Sequence, residues 1–154
     1  MAMQELYDIE KIKQLKARYF RALDTNDWPL FGDCLSEDCV ANYSDGRLVR
    51  EGRDAIVAFM SKHMTGPTLL SMHHGHTPEI EIVDDNHATG IWYLNDLVMD
   101  LKSNTQLSGA AIYHDEYVRE NDGWKISKTG YSRTFEYYQP IPKDLKIVKN
   151  MFVK

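Results

Sequence analysis

The stretch His87-Ala88-Thr89-Gly90-Ile91-Trp92-Tyr93-Leu94-Asn95-Asp96-Leu97-Val98-Met99-Asp100-Leu101 decides the class of fold. It is long and rich in aromatic and branched apolar residues. Segments 69–83, 105–120 and 123–138 share its texture, and Asp84-Asp85-Asn86, Ser103-Asn104 and Asn121-Asp122-Gly123 separate the four. These are long strands joined by polar turns. Side chains alternate across a strand, so Trp92, Leu94, Asp96 and Val98 share one face. A carboxylate among apolar neighbours needs a partner, because burying an unpaired charge is costly. The other face, with Ile91, Tyr93, Leu97, Met99 and Leu101, is apolar too. Both faces are therefore expected to be covered, one by the core and one by another subunit, which predicts a homo-oligomer.

Upstream the period changes. Leu6, Ile9, Ile12, Leu15, Tyr19 and Leu23 recur every three or four residues, as on one stripe of a helix about 20 residues long. Glu10, Lys11, Lys13, Lys16 and Arg18 are expected on its solvent face. Asp24-Thr25-Asn26-Asp27 ends it, and Asp27 can cap a short second helix opening with Trp28-Pro29. Residues 39–43 read as a strand followed by the hairpin signal Asp45-Gly46. A third helix runs from Arg53 to His63, between Gly52 and Gly66-Pro67. Helices first and antiparallel strands last give an α+β class, with one strongly curved sheet wrapped around the long first helix as a cone-shaped barrel holding an internal cavity. All 154 residues read as one domain. The tail from Gln139 is weakly patterned and is expected to pack along a neighbour or cover the cavity mouth.

Composition excludes several classes. The formal net charge is −5, with no basic excess to neutralise phosphates, so nucleic acid is not expected as a partner. No apolar run approaches the ~20 residues of a membrane span. The N-terminus lacks the basic and apolar regions of a signal peptide, and Cys34 and Cys39 fit neither a redox pair nor a zinc knuckle. Free buried thiols and a cytoplasmic location are expected.

Alternation places His73 on one strand face and His74 with His76 on the other, and Pro78 puts that end of the strand at an edge or a bulge. Tyr131, Arg133, Phe135 and Tyr137 share a face, where Arg133 is stacked or paired with a carboxylate. Tyr19 lies on the helical stripe, and Asp24 lies five residues on, about 140° round the helix. The spacing His74-x-His76-x-x-Glu79 is similar to a cupin metal motif, but three helices precede the sheet and no second histidine motif follows, so no metal site is expected. Taken singly, each residue has a plain structural role open to it: a hydrogen-bonded histidine, an ion-paired arginine, a core tyrosine.

The order of elements resembles the nuclear-transport-factor-2-like (SnoaL-like) superfamily, an α+β cone with a deep apolar pocket. The resemblance covers roughly residues 8 to 138. Its specific parts are Lys16-Ala17-Arg18-Tyr19-Phe20-Arg21-Ala22-Leu23-Asp24, Tyr43-Ser44-Asp45-Gly46, residues 71–80, Trp92-Tyr93-Leu94-Asn95-Asp96 and Thr129-Gly130-Tyr131-Ser132-Arg133. Within the superfamily these are most similar to the bacterial bile acid 7α-dehydratases, and more distantly to the scytalone dehydratases. The resemblance implies catalytic residues Tyr19, Asp24, His73, Asp96 and Arg133 and a pocket wall including Tyr43, Trp92 and Tyr113. It implies no metal or organic cofactor, and a trimer. It also implies a small apolar hydroxylated substrate, steroid-like or another polycyclic ketone, free or as a coenzyme A thioester. His74 stands where the dehydratases carry an apolar residue, and the tail does not match.

On that basis the expected reaction is loss of water by acid–base chemistry. His73 is the base, Asp96 accepts its other ring N–H, Tyr19 donates to the carbonyl oxygen, and Asp24 and Arg133 form a buried charge pair. Other chemistries on the same fold are a ketosteroid-type isomerase, a polyketide cyclase and a hydrolase; a non-catalytic ligand carrier or structural subunit is the alternative outside enzymes.

Overall fold

The computed structural model describes residues 2–121 and 123–154, apart from the side chain of residue 2. Asp122 of the expected turn 121–123 lies outside them. In chain order the elements are α1 (Ala2–Thr25), α2 (Trp28–Asp33), β1 (Leu35–Tyr43), β2 (Leu48–Glu51), α3 (Arg53–Met64), β3 (Leu69–Ile82), β4 (His87–Asp100), β5 (Thr105–Glu120) and β6 (Gly123–Pro140). The four long strands begin at the predicted residues and end within two of the predicted limits. Asp27 caps α2 by accepting a hydrogen bond from the Leu30 N–H at 3.1 Å.

One six-stranded sheet has the order β2-β1-β6-β5-β4-β3. All pairs are antiparallel except β1 with β6. The sheet is strongly curved and mostly antiparallel, as expected, and stays open, with β2 and β3 at its edges. Helices bridge the gap between them, α1 lying chiefly along β3 and α3 against β1, β2 and β3. Pro78 falls on the edge strand at a register shift between His76 and Glu79, which fits a residue with no N–H to give to a ladder.

On α1 the buried face comprises Asp8, Ile12, Leu15, Lys16, Tyr19, Phe20, Ala22 and Leu23. Two expectations fail here. Leu6 is 64% exposed, because it stands about 200° round the helix from Asp8. Lys16 is fully buried rather than solvated; it lies four residues after Ile12 and three before Tyr19, within the inward face. Cys34 and Cys39 are free and buried. Burial pushes their thiols up to about 11 and about 12.

The predicted aromatic face of β6 is broken. The register with β5 shifts between Ala110 and Ala111, which face Phe135 and Arg133. Thr134 is the extra residue, and one extra residue reverses the alternation beyond it. Phe135 and Tyr137 therefore turn outward, 59% and 47% exposed. Ile91 and Tyr93 are also exposed on the outer face of the sheet. No helix among the described residues is long and apolar enough to cross a membrane.

Candidate active site

The concave side of the sheet, α1 and α3 enclose a cavity of about 430 Å³, a size usual for small-molecule sites. Leu23, Leu48, Phe59, Met60, Val98 and Leu107 make its apolar wall, and His73, Asp96, Arg133, Tyr43, Tyr113 and Tyr131 its polar one. Ser44, His63, Met64, Asp100, Thr105 and Tyr138 complete the lining.

Five of the eight residues named from sequence line this cavity: His73, Asp96, Arg133, Tyr43 and Tyr113. Tyr19, Asp24 and Trp92 stand behind the lining. Tyr19 is fully buried, its hydroxyl 2.6 Å from that of Tyr43. Trp92 donates its indole N–H to the Tyr117 hydroxyl at 2.8 Å. Asp24 holds the edge strand. Its Oδ1 is 2.7 Å from His73 Nδ1 and accepts from the Ser71 hydroxyl at 2.8 Å, and its Oδ2 accepts from the His73 backbone N–H at 2.8 Å. Tyr19 and Asp24 need not point the same way, since the curved sheet brings β1 to one and β3 to the other.

The expected pairing of charges is exchanged. His73 was expected to bond Asp96, its neighbour across the β3–β4 ladder, yet its ring meets Asp24. Asp96 instead accepts two parallel hydrogen bonds from Arg133, at 2.7 and 2.8 Å. The fork-to-fork match of guanidinium and carboxylate favours that geometry. Glu136 adds an ion pair to Arg133 Nε at 3.0 Å. Glu136 reaches Arg133, and Tyr138 the cavity, because the bulge at Thr134 turns even-numbered positions inward.

Burial pushes the Asp24 carboxyl up. The hydrogen bonds and charge of His73, with the Ser71 hydroxyl, outweigh it and hold the group below the usual carboxylate value. Burial likewise disfavours the Arg133 charge, and Asp96 more than offsets it. Tyr19, Tyr43 and Tyr113 are all raised, first by burial, so these phenols are hydrogen-bond donors rather than bases. Among the described residues no three potential metal-ligating side chains cluster. His74 and His76 lie side by side on the outer face, and the shift after His76 breaks their register with Glu79.

Several site residues were not read from sequence. Tyr131 shared the face assigned to Arg133, so the signal was present. Ser71 and Glu136 gave none, since one depends on the end of α1 and the other on a bulge.

The sequence model of the SnoaL-like domain matches residues 4–130. A Novosphingobium aromaticivorans protein described as a candidate scytalone dehydratase superposes with a TM-score of 0.80 at 18% identity, over 97% of this chain and 95% of that one. The hexachlorocyclohexane dehydrochlorinase LinA-type3 of Novosphingobium barchaimii gives 0.79 at 19% identity, over 97% and 99%. ActVI-ORFA of Streptomyces coelicolor gives 0.69 at 16% identity, over 82% and 96%. At these identities the likeness is one of fold.

Proposed function

The chain belongs to the SnoaL-like domain family, and from that premise we propose that it is a cofactor-independent hydro-lyase acting on a small, apolar, hydroxylated ketone. The observation that carries the reading is the Asp24–His73 contact of 2.7 Å at the wall of a largely apolar cavity. Two of the structural neighbours bear names that denote eliminations, a dehydratase and a dehydrochlorinase. Elimination of water asks for the same parts: a base, an oxyanion donor and a proton for the leaving group.

His73 Nδ1–H donates to Asp24, which leaves the Nε2 lone pair to take a proton from a carbon acidified by the carbonyl, directly or through a conjugated double bond. Asp24 fixes the tautomer and stabilises the imidazolium that forms, as an orienting carboxylate does. Tyr19 donates to the Tyr43 oxygen, so the Tyr43 O–H points its proton at the developing enolate oxygen. The C–O bond on the carbon next to the deprotonated one then breaks, and the imidazolium returns its proton to the departing hydroxide. Water and a conjugated alkene are the products. Arg133, neutralised by Asp96 and Glu136, shapes the deep end and presents its N–H edge to polar substituents. The enzyme works as an oligomer of identical subunits, a trimer by resemblance, joined through the outer sheet face.

A 7α-hydroxy-3-oxo-4-ene steroid, free or as its coenzyme A thioester, tests the reading. Wild type should produce the more conjugated dienone, followed by absorbance, with loss of one water by mass. His73→Ala should be slower by about 10²-fold or more, as loss of a general base implies. Full rate in His73→Ala, or a product of unchanged mass, would refute the proposal.

A further inference from the structure

The one cation that the sequence misplaces lies at the centre of the interior. Lys16 and Asp115 are both wholly buried, with Nζ 2.6 Å from Oδ2. Asp115 also accepts hydrogen bonds from the Tyr117 hydroxyl at 2.9 Å and the Thr129 hydroxyl at 2.7 Å. Three rings also lie close to the ammonium: Nζ is 3.7 Å from the centroid of Tyr113, 4.7 Å from Tyr19 and 5.0 Å from Phe20.

Each ring leads to one working group. Phe20 lies parallel to the His73 imidazole, 7° between planes and 6.2 Å between centroids. Tyr19 bonds Tyr43. Tyr113 lines the cavity and packs edge-on against Tyr131 at 5.2 Å. Gly75, two residues along β3 from His73, leaves the space that Phe20 occupies; a Cβ there would stand 2.5 Å from the Phe20 ring. A cation draws ring faces towards itself, so one ammonium fixes three rings at once.

We propose that Lys16, held by Asp115, is a positioning residue that sets His73, Tyr43 and Tyr113 relative to one another through this three-ring cage. The inference rests on the function proposed above but is testable without it. A buried ion pair with only a structural role can usually be replaced by uncharged side chains of similar volume without loss of stability. Under either role the fold survives such a replacement; only a positioning role predicts that the site loosens.

The test is the double variant Lys16→Met/Asp115→Asn, which removes both charges; the amide oxygen still accepts from one of the Tyr117 and Thr129 hydroxyls, and the amide NH2 donates to the other. Its melting temperature should equal or exceed that of wild type. The ring resonances of His73 should broaden and move from their wild-type positions. With a turned-over substrate, kcat should fall about tenfold or more while KM stays within about twofold. If that variant does not fold, Lys16→Gln/Asp115→Asn, which also leaves Phe20 and its contact with His73 in place, decides the matter by the same readout. Unchanged His73 ring resonances in the folded variant would overturn the proposal. Absence of turnover in wild type would count against the proposed reaction alone, since the His73 readout needs no substrate.

Discussion

Two opposing influences meet on the carboxyl of Asp24, and their balance has a consequence for stability. Burial raises its pKa, and the three hydrogen bonds from Ser71 and His73 more than offset that. A carboxyl lowered in the folded state contributes stability above its unfolded value of about 3.9, and the contribution fades as pH falls through the folded value. Asp24→Asn should therefore lower the melting temperature most at pH 5 and above, and the gap to wild type should narrow below about pH 4; a pH series of thermal melts checks this. The residue scale is also where sequence reading was least able to assign partners. His73, Asp96, Asp24 and Arg133 were all identified, but which acid meets which base depends on where the end of α1 stops against β3. Alternation reports a face and carries no information about that contact.

Elements were more legible. Period-two texture and polar turns located β3 to β6, since a half-buried strand must alternate. Their neighbours were less so. The parallel pairing of β1 with β6 joins residues some ninety positions apart, and no local pattern marks it. Its imprint is Gly130, where any Cβ would collide with the Asn42 carbonyl on β1. Gly130→Ala should cost roughly 1–3 kcal/mol, the usual penalty of overpacking, as a lowered urea midpoint with unchanged slope. The Thr134 bulge was equally invisible, because an inserted residue looks like any other until the ladder is laid out. It determines that Tyr138 faces the ligand space and Phe135 faces away.

At the scale of the whole molecule, a curved sheet with one open side needs α1 and α3 to fill the gap, and the cavity is the space they leave. The outer face keeps Ile91, Tyr93, Phe135 and Tyr137 exposed in the single chain. Exposed apolar faces of that kind commonly serve as interaction sites, and this is the face that the proposed oligomer would join. Phe135→Glu should dissociate the assembly in sedimentation velocity while leaving far-ultraviolet circular dichroism unchanged. A sedimentation coefficient equal to wild type would remove this face from the interface.

The sequence by itself determined the class of fold and the limits of the long strands, because hydrophobic periodicity and turn chemistry are local properties of the chain; the candidate site residues were named as a set only through the family resemblance. Only the tertiary structure decided that Asp24 serves His73, that Asp96 serves Arg133, that Tyr19 stands behind Tyr43 and that Lys16 is buried. Those outcomes depend on distances between segments far apart in the chain. At such distances the cost of burying a charge is set by whichever partner the fold supplies.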